Sequence, residues 1–228
     1  MHKIFIIDFL KQHKKIMYVM AFLYSVLQGS NVWRYIFSKN VTYRGAFLKR
    51  TKLYINKNSS IVIGEKCQMN NCTISIAAGG DIFIAGNQTC INNTKFVVRE
   101  RGLITVKDDF SMQGGIIQSV DGMPVKIGAH CMFSGDIDIN SGDLHPIYDI
   151  NTKEIINQSK KIIISNNVWL GAHVRIMKGA NIASHTVIGN SSLVNKKLEE
   201  PYSIYAGIPA RKIKDGIDWA RSKIASNK

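Results

Sequence analysis

At 228 residues and 45% hydrophobic side chains, the chain has material for one large or two small domains, and one elongated domain is the economical reading. Thirty Lys and Arg against 16 Asp and Glu give a formal charge of +14, a field that draws polyanions, phosphates or an acidic membrane surface. The basic residues are scattered or near the termini and no nucleic-acid motif accompanies them, which argues against a nucleic-acid partner. Cys67, Cys72, Cys90 and Cys131 lack the paired short spacings of a zinc site, and a chain of this length needs no disulfide staples, so they read as reduced, packed thiols.

The first residues, MHKIFIIDFLKQHKK, hold an apolar stretch broken by Asp8, without the small-residue cleavage site of a secretory signal. Ile16 to Leu27 is mostly apolar but short of the ~20 residues that cross a bilayer. Residues 1–50 therefore read as a helical capping segment. A second reading lays these runs on a membrane, with Lys3, Lys11, Lys14 and Lys15 towards anionic headgroups. A cytoplasmic location is expected, with the inner face of the membrane as its extension.

From residue 51 a rhythm of six appears, broken at first: Ile63 and Met69, Ile84 and Cys90, Val106 and Met112 are each six apart. The steps from Ile63 to Ile84 and from Val106 to Ile127 exceed eighteen residues, as if corners carry insertions. The rhythm sharpens at Ile127, Phe133 and Ile139, and becomes strict through Ile164, Leu170, Ile176, Ile182, Ile188 and Val194. Four residues after the first five of this last series come Val168, Val174, Ala180, Thr186 and Ser192, all small or β-branched. Cys67 and Cys131 hold the equivalent place after Ile63 and Ile127. No helix or lone strand sustains a period of six. The pattern specifies an all-β solenoid over 51–200, in which each turn stacks its apolar position on the turn below. Pro124, Pro146, Pro201 and Pro209 fall outside the strict runs, as parallel ladders require.

The rhythm is interrupted at 140–161 by a polar excursion in which His145 lies between Asp143 and Asp149 in SGDLHPIYD. A histidine can exchange a proton near neutral pH, particularly where a carboxylate or carbonyl fixes its tautomer. Trp169 sits directly before Leu170 and is expected to point outwards, leaving a large apolar face exposed. Residues 201–228 form an exit segment. Its end has helical spacing at Ile217, Trp219, Ala220 and Ile224 and is expected to be a C-terminal helix closing the open end.

The hexapeptide runs, the histidine in SGDLHPIYD, the sequence NNVWLGA and the exit AGIPARKIK together resemble hexapeptide-repeat acyltransferases over roughly residues 51–215. The sialic-acid and capsular-polysaccharide O-acetyltransferases are the most similar subgroup. The resemblance implies a left-handed parallel β-helix, a homotrimer, and acetyl-CoA as co-substrate in a groove between adjacent subunits, with no metal. It makes His145 the general base that deprotonates a sugar hydroxyl, and Trp169 an aromatic of the active-site cleft. Asp143 and Asp149 become acceptor contacts or orienting groups for His145. Ala172, His173, Lys178, Asn190, Lys196, Lys197 and Arg211 become candidates for the CoA groove. Lys178 and Lys196 stack one above the other if each coil takes three hexapeptides. His130, His173 and His185 lie in different hexapeptides and lack the convergence of a metal site. The implied reaction is O-acetylation of a surface glycan: a capsular polysaccharide, a sialic acid or a lipopolysaccharide sugar. N-acetylation of an amino sugar on a nucleotide or lipid carrier, and a non-catalytic solenoid scaffold, are the alternatives.

Overall fold

The computed structural model describes residues 14–43, 45–77 and 79–222. A helix, α1 (Lys14–Leu27), and a 3₁₀ turn (Val32–Tyr35) lead into a parallel β-solenoid whose three faces are sheets of eight, nine and seven strands. The ladder begins at Val41–Tyr43, ahead of residue 51. Every strand pairing is parallel except the last, where Arg211–Lys214 turns back antiparallel on Ile204–Ala206.

Three columns of stacked side chains, one behind each sheet, run the length of the core, and a shorter one, Ile61, Ile82, Ile104, Val125 and Ile162, lies beside the first. The first runs Ile63, Ile84, Val106, Ile127, Ile164, Ile182 and Leu198. The second runs Leu48, Met69, Ile91, Met112, Phe133, Leu170, Ile188 and Tyr205. The third runs Leu53, Ile74, Phe96, Ile117, Ile139, Ile176 and Val194. All of these side chains are buried. The strict series from Ile164 to Val194 thus supplies all three columns in rotation. Val168, Val174, Ala180, Thr186, Ser192, Cys67 and Cys131 are buried as expected of corner residues. The cysteines are free thiols, and burial pushes that of Cys131 up to about 12, so it packs rather than reacts.

One register assignment is corrected. Ile91, not Cys90, enters the second column; Cys90 faces outwards and is only half-buried. The corner after Ile84 carries one extra residue. Gly86 makes room for it, since a Cβ there would lie 1.9 Å from the Glu65 carbonyl oxygen of the coil below.

The corner that precedes the second sheet is itself a column. Lys66, Gln88, Asp109, His130, Asn167, His185 and Tyr202 succeed one another there with φ between 52° and 64°. This left-handed conformation is costly for most side chains and is tolerated best by Asn, Asp and His outside glycine. His130 and His185 therefore occupy turn positions, and His173 (φ 60°) does so in a different corner. Among the described residues no three His, Cys, Asp or Glu converge as a metal set would.

The two ends of the solenoid are finished differently. At the start, Ser25 Oγ accepts from Leu48 N (3.0 Å), Ser30 Oγ accepts from Thr51 N (2.9 Å), and Asn31 accepts from Leu53 N (2.7 Å) while donating to its carbonyl (2.8 Å). Polar side chains of the cap thus satisfy the first coil, whose strands would otherwise be a template for aggregation. At the other end the expected C-terminal helix is absent among the described residues; Ile224 lies outside them. After the antiparallel strand the chain runs back along the left-handed corner as an extended strap. Ile217 N donates to Tyr202 O (3.0 Å), Trp219 Nε1 to Asn167 O (2.8 Å), and Arg221 Nη2 to Cys131 O (2.9 Å) and Asp109 O (2.7 Å). These corner carbonyls compete successfully with a helix too short to be stable alone. Among the described residues no helix is long and apolar enough to cross a membrane.

Candidate active site

The excursion leaves the third sheet after Ile137–Asn140 and rejoins the first at Ile162–Ile164. It folds as an irregular hairpin, with Tyr148 bridged to Ile155 and Ile156 N donating to Ile147 O (2.9 Å). Asp149 caps its tip: the carboxylate accepts from Asn151 N (2.8 Å) and Thr152 N (2.9 Å), and these backbone bonds hold it below the usual carboxylate range. Its chemistry is spent on the turn. The base is tied to the coil below through Val120 N to Ser141 Oγ (2.9 Å) and Ser159 Oγ to Asp121 (2.6 Å).

His145 is exposed, in the wall of a cavity of 340 Å³ that it shares with Arg99, Asp121, Asp143, Pro146 and Asn157. Among the described residues no carboxylate holds its imidazole; the loop is fixed through the backbone instead. Asn157 is the hub. Its amide nitrogen donates to His145 O (2.9 Å) and to Asp143 Oδ2 (2.9 Å), and its oxygen accepts from Ile147 N (2.7 Å). Lys178, from the wall of the solenoid, bonds both Asp143 and the Asn157 carbonyl (2.7 Å). The Lys178 ammonium, then Asn157, keeps Asp143 below its ordinary range. Asp143 therefore fixes the hairpin rather than the His145 ring.

This also corrects the expected stacking of Lys178 on Lys196. The chain passes from Val194 to Leu198 in four residues where the coil below takes six from Ile176 to Ile182, so the two lysines leave register. Lys178 turns to the hairpin. Lys196, Lys197 and Arg211 line a separate cavity of 380 Å³ with Lys212 and Glu200 near the exit. Lys197 also borders a cavity of 520 Å³ with Lys160 and Lys161. His173 lies in a third place, 3.4 Å from Asp136 and beside Arg175, Leu193 and Ile208. Asn190 Oδ1 accepts from Ala172 N (3.0 Å), as Asn166 does from Ala129 N (2.9 Å) at the corner between the first and second sheets. Gly171 leaves room for that contact, since a Cβ there would stand 2.2 Å from Asn190 Oδ1. The Ala172–Asn190 pair thus has a structural task of its own.

Trp169 lies on the second sheet, and one chain does not bring it to His145. Its expected exposure is also corrected. Trp219 of the strap packs against it, ring centroids 6.1 Å apart at 47°, leaving it half-buried, with its Nε1–H buried and without an acceptor among the described residues.

Over 179 residues the chain is 35% identical to a polysialic acid O-acetyltransferase of Neisseria meningitidis, a match that covers 73% of this chain and 78% of that protein. The chain belongs to the hexapeptide-repeat acyltransferase family. An Escherichia coli O1:K1 polysialic acid O-acetyltransferase is 41% identical over 98 residues, which cover 43% of this chain and 32% of the relative, so the chain spans about a third of that protein. Among solved structures, the polySia-specific acetyltransferase NeuO superposes with a TM-score of 0.55 at 25% identity, covering 82% of this chain and 90% of that one. No protein-family profile matches the chain.

The solenoid holds the candidate site residues on a protrusion and on outward corner positions. Sequence reasoning missed Asn157, Trp219 and Arg221. A lone asparagine in a polar loop carries no pattern that marks it as a hub. Trp219 was visible as a large aromatic but was assigned to a helix.

Proposed function

We propose that this acyltransferase moves an acetyl group from acetyl-CoA to a hydroxyl of an anionic surface glycan, with His145 as general base. The observation that carries the reading is a lone imidazole on a hairpin locked by Asn157, Asp143 and Lys178, at the mouth of a solvent-open cavity in a chain related to polysialic acid O-acetyltransferases. The imidazole takes the hydroxyl proton as the oxygen attacks the thioester carbonyl. The C–S bond of the tetrahedral intermediate then breaks, and the imidazolium returns the proton to the leaving thiolate. A backbone N–H of a coil serves the developing oxyanion.

The separation of His145 from Trp169 in one chain supports a site completed between copies. In this reading three chains assemble so that the hairpin of one reaches the second sheet of the next. The hairpin suits that role, since Leu144, Ile147, Tyr148, Ile150 and Ile156 are exposed on it and a lone apolar finger is costly in water. The CoA groove then runs past Ala172, His173 and Asn190 towards Lys196, Lys197 and Arg211, with the cations meeting its phosphates. The net charge of +14 suits an anionic acceptor. Four free thiols, three of them buried, suit a reducing, cytoplasmic site of action.

The test is a set of acceptors, including oligosialic acid and neutral and amino-sugar oligosaccharides, incubated with acetyl-CoA and read by mass spectrometry. An alkali-labile acetyl ester on the anionic glycan is expected. An alkali-stable amide on an amino sugar, or full turnover by His145→Ala, would overturn the reading.

A further inference from the structure

Helix α1 is apolar on two opposite sides. Ala21 and Ser25 are buried against the first coil, while Ile16, Val19, Met20, Leu23 and Leu27 are exposed, Leu27 by 82%. At 3.6 residues per turn these five fall in one arc facing away from the solenoid. Trp33, Ile36 and Phe37 extend the surface, Phe37 being 95% exposed. A helix that rests on a protein normally turns polar side chains to water on this side. A contiguous apolar surface of this kind marks an interaction site.

The charge around it is one-sided. Between residues 14 and 64 the sequence has nine Lys and Arg and no Asp or Glu. Lys14 reaches Glu65 (3.6 Å), but Lys15, Arg34 and Lys39 have no carboxylate partner among the described residues. The Arg34 guanidinium lies over the Trp33 ring at 5.4 Å, an arrangement suited to an interface between water and an apolar phase.

We propose that this end of the solenoid docks on an anionic lipid bilayer. Helix α1 lies in the plane of the surface, its outer stripe in the boundary between acyl chains and headgroups, and the basic side chains meet lipid phosphates. Its apolar run, residues 16–27 behind Lys14 and Lys15, is shorter than the ~20 residues a spanning helix needs, so it rests on the bilayer. A second copy fits less well, because it would bring two positively charged surfaces together with no acidic residue from this region on either. A bilayer supplies both the apolar depth and the negative charge. The inference is independent of the acyl-transfer chemistry.

Flotation of the full chain with vesicles tests it. The chain is expected to rise with mixed phosphatidylcholine–phosphatidylglycerol vesicles at low salt, and much less with pure phosphatidylcholine or at high salt. Trp33 emission should shift to the blue. The triple variant Leu23→Gln, Leu27→Gln, Phe37→Ser should bind about tenfold or more weakly, with melting temperature and light-scattering mass unchanged. Should that variant fold poorly, Lys15→Gln, Arg34→Gln, Lys39→Gln alters only exposed charges and should lose the binding too. Vesicle binding equal to wild type in either variant would overturn the inference. So would a wild type that ignores anionic vesicles, whether the apolar variant then loses oligomeric mass, giving the stripe to a second copy, or vesicle binding emerges on removal of residues 1–13, giving it to that segment.

Discussion

The stacked coils and the hairpin at 141–161 answer to different forces. In the coils every column position is buried, and the residues that fill it are almost all Ile, Leu, Val, Met or Phe, so the structure is held by area removed from water repeated turn after turn. In the hairpin most side chains are exposed, including large apolar ones, and its shape rests on a handful of polar bonds centred on Asn157. The solenoid can therefore change a surface residue without moving His145, whereas the hairpin can lose its geometry while the fold stands. The proposed role of His145 thus predicts that stability and chemistry are separable in this molecule.

The largest expected effect is catalytic. His145→Ala should lower acetyl-transfer turnover about 10²- to 10⁴-fold with an unchanged denaturation curve; a matching loss of stability would show that the hairpin is part of the folding core. Ile176→Ala makes the opposite cut. Removing a fully buried side chain from the third column should cost about 2–5 kcal/mol in denaturant unfolding, while turnover per folded molecule stays near wild type.

Asn157→Ala sits between these. It releases His145 O, Ile147 N and Asp143 together, and should lower kcat about ten- to a hundredfold, with stability nearly constant. The KM for acetyl-CoA should move little, a split that a merely structural role would not produce. Trp219→Ala should cost about 0.5–1.5 kcal/mol through its ring contact with Trp169, and should raise quenching of Trp169 fluorescence by iodide.

The smallest effect concerns pH. Asp143 has a lowered carboxyl pKa in the folded chain, so its pairing stabilises the hairpin fully above the ordinary Asp value of about 3.9. That contribution is lost as the pH falls through the lowered value. The pair is solvent-screened and should be worth about 1 kcal/mol or less. Hairpin amide protection factors, taken relative to the intrinsic exchange rate at each pH, should stay flat down to the ordinary Asp range and then fall. Asp143→Asn should remove the Asp143 share of that step and leave the share of the Asp149 cap.

How much of this was legible depends on whether the determinant is periodic. The column residues Ile127, Phe133 and Ile139, and the strict run from Ile164 to Val194, announce themselves because burial on one side of a repeating coil imposes at least one apolar residue per face. Where a corner gains a residue, as at Gly86, counting by six lands on Cys90 when Ile91 carries the column. The position of His145 was legible because the excursion that carries it interrupts the repeat, whereas its role as general base is our proposal. Lys178 was misassigned because a cation in a coil looks the same whether it faces water or reaches across to Asp143.

By itself the amino-acid order determined a triangular coil, the place of its interruption and the histidine within it, because a period of six is a property of neighbours along the chain. Only the tertiary structure decided that Asn157 and Lys178 lock the hairpin, that the end of the chain is a strap rather than a helix, and that α1 turns an apolar side outwards. Each of these depends on which groups far apart in sequence meet across coils. A carbonyl freed at a left-handed corner, or a carboxylate within reach of an ammonium, exists only once the coils are stacked.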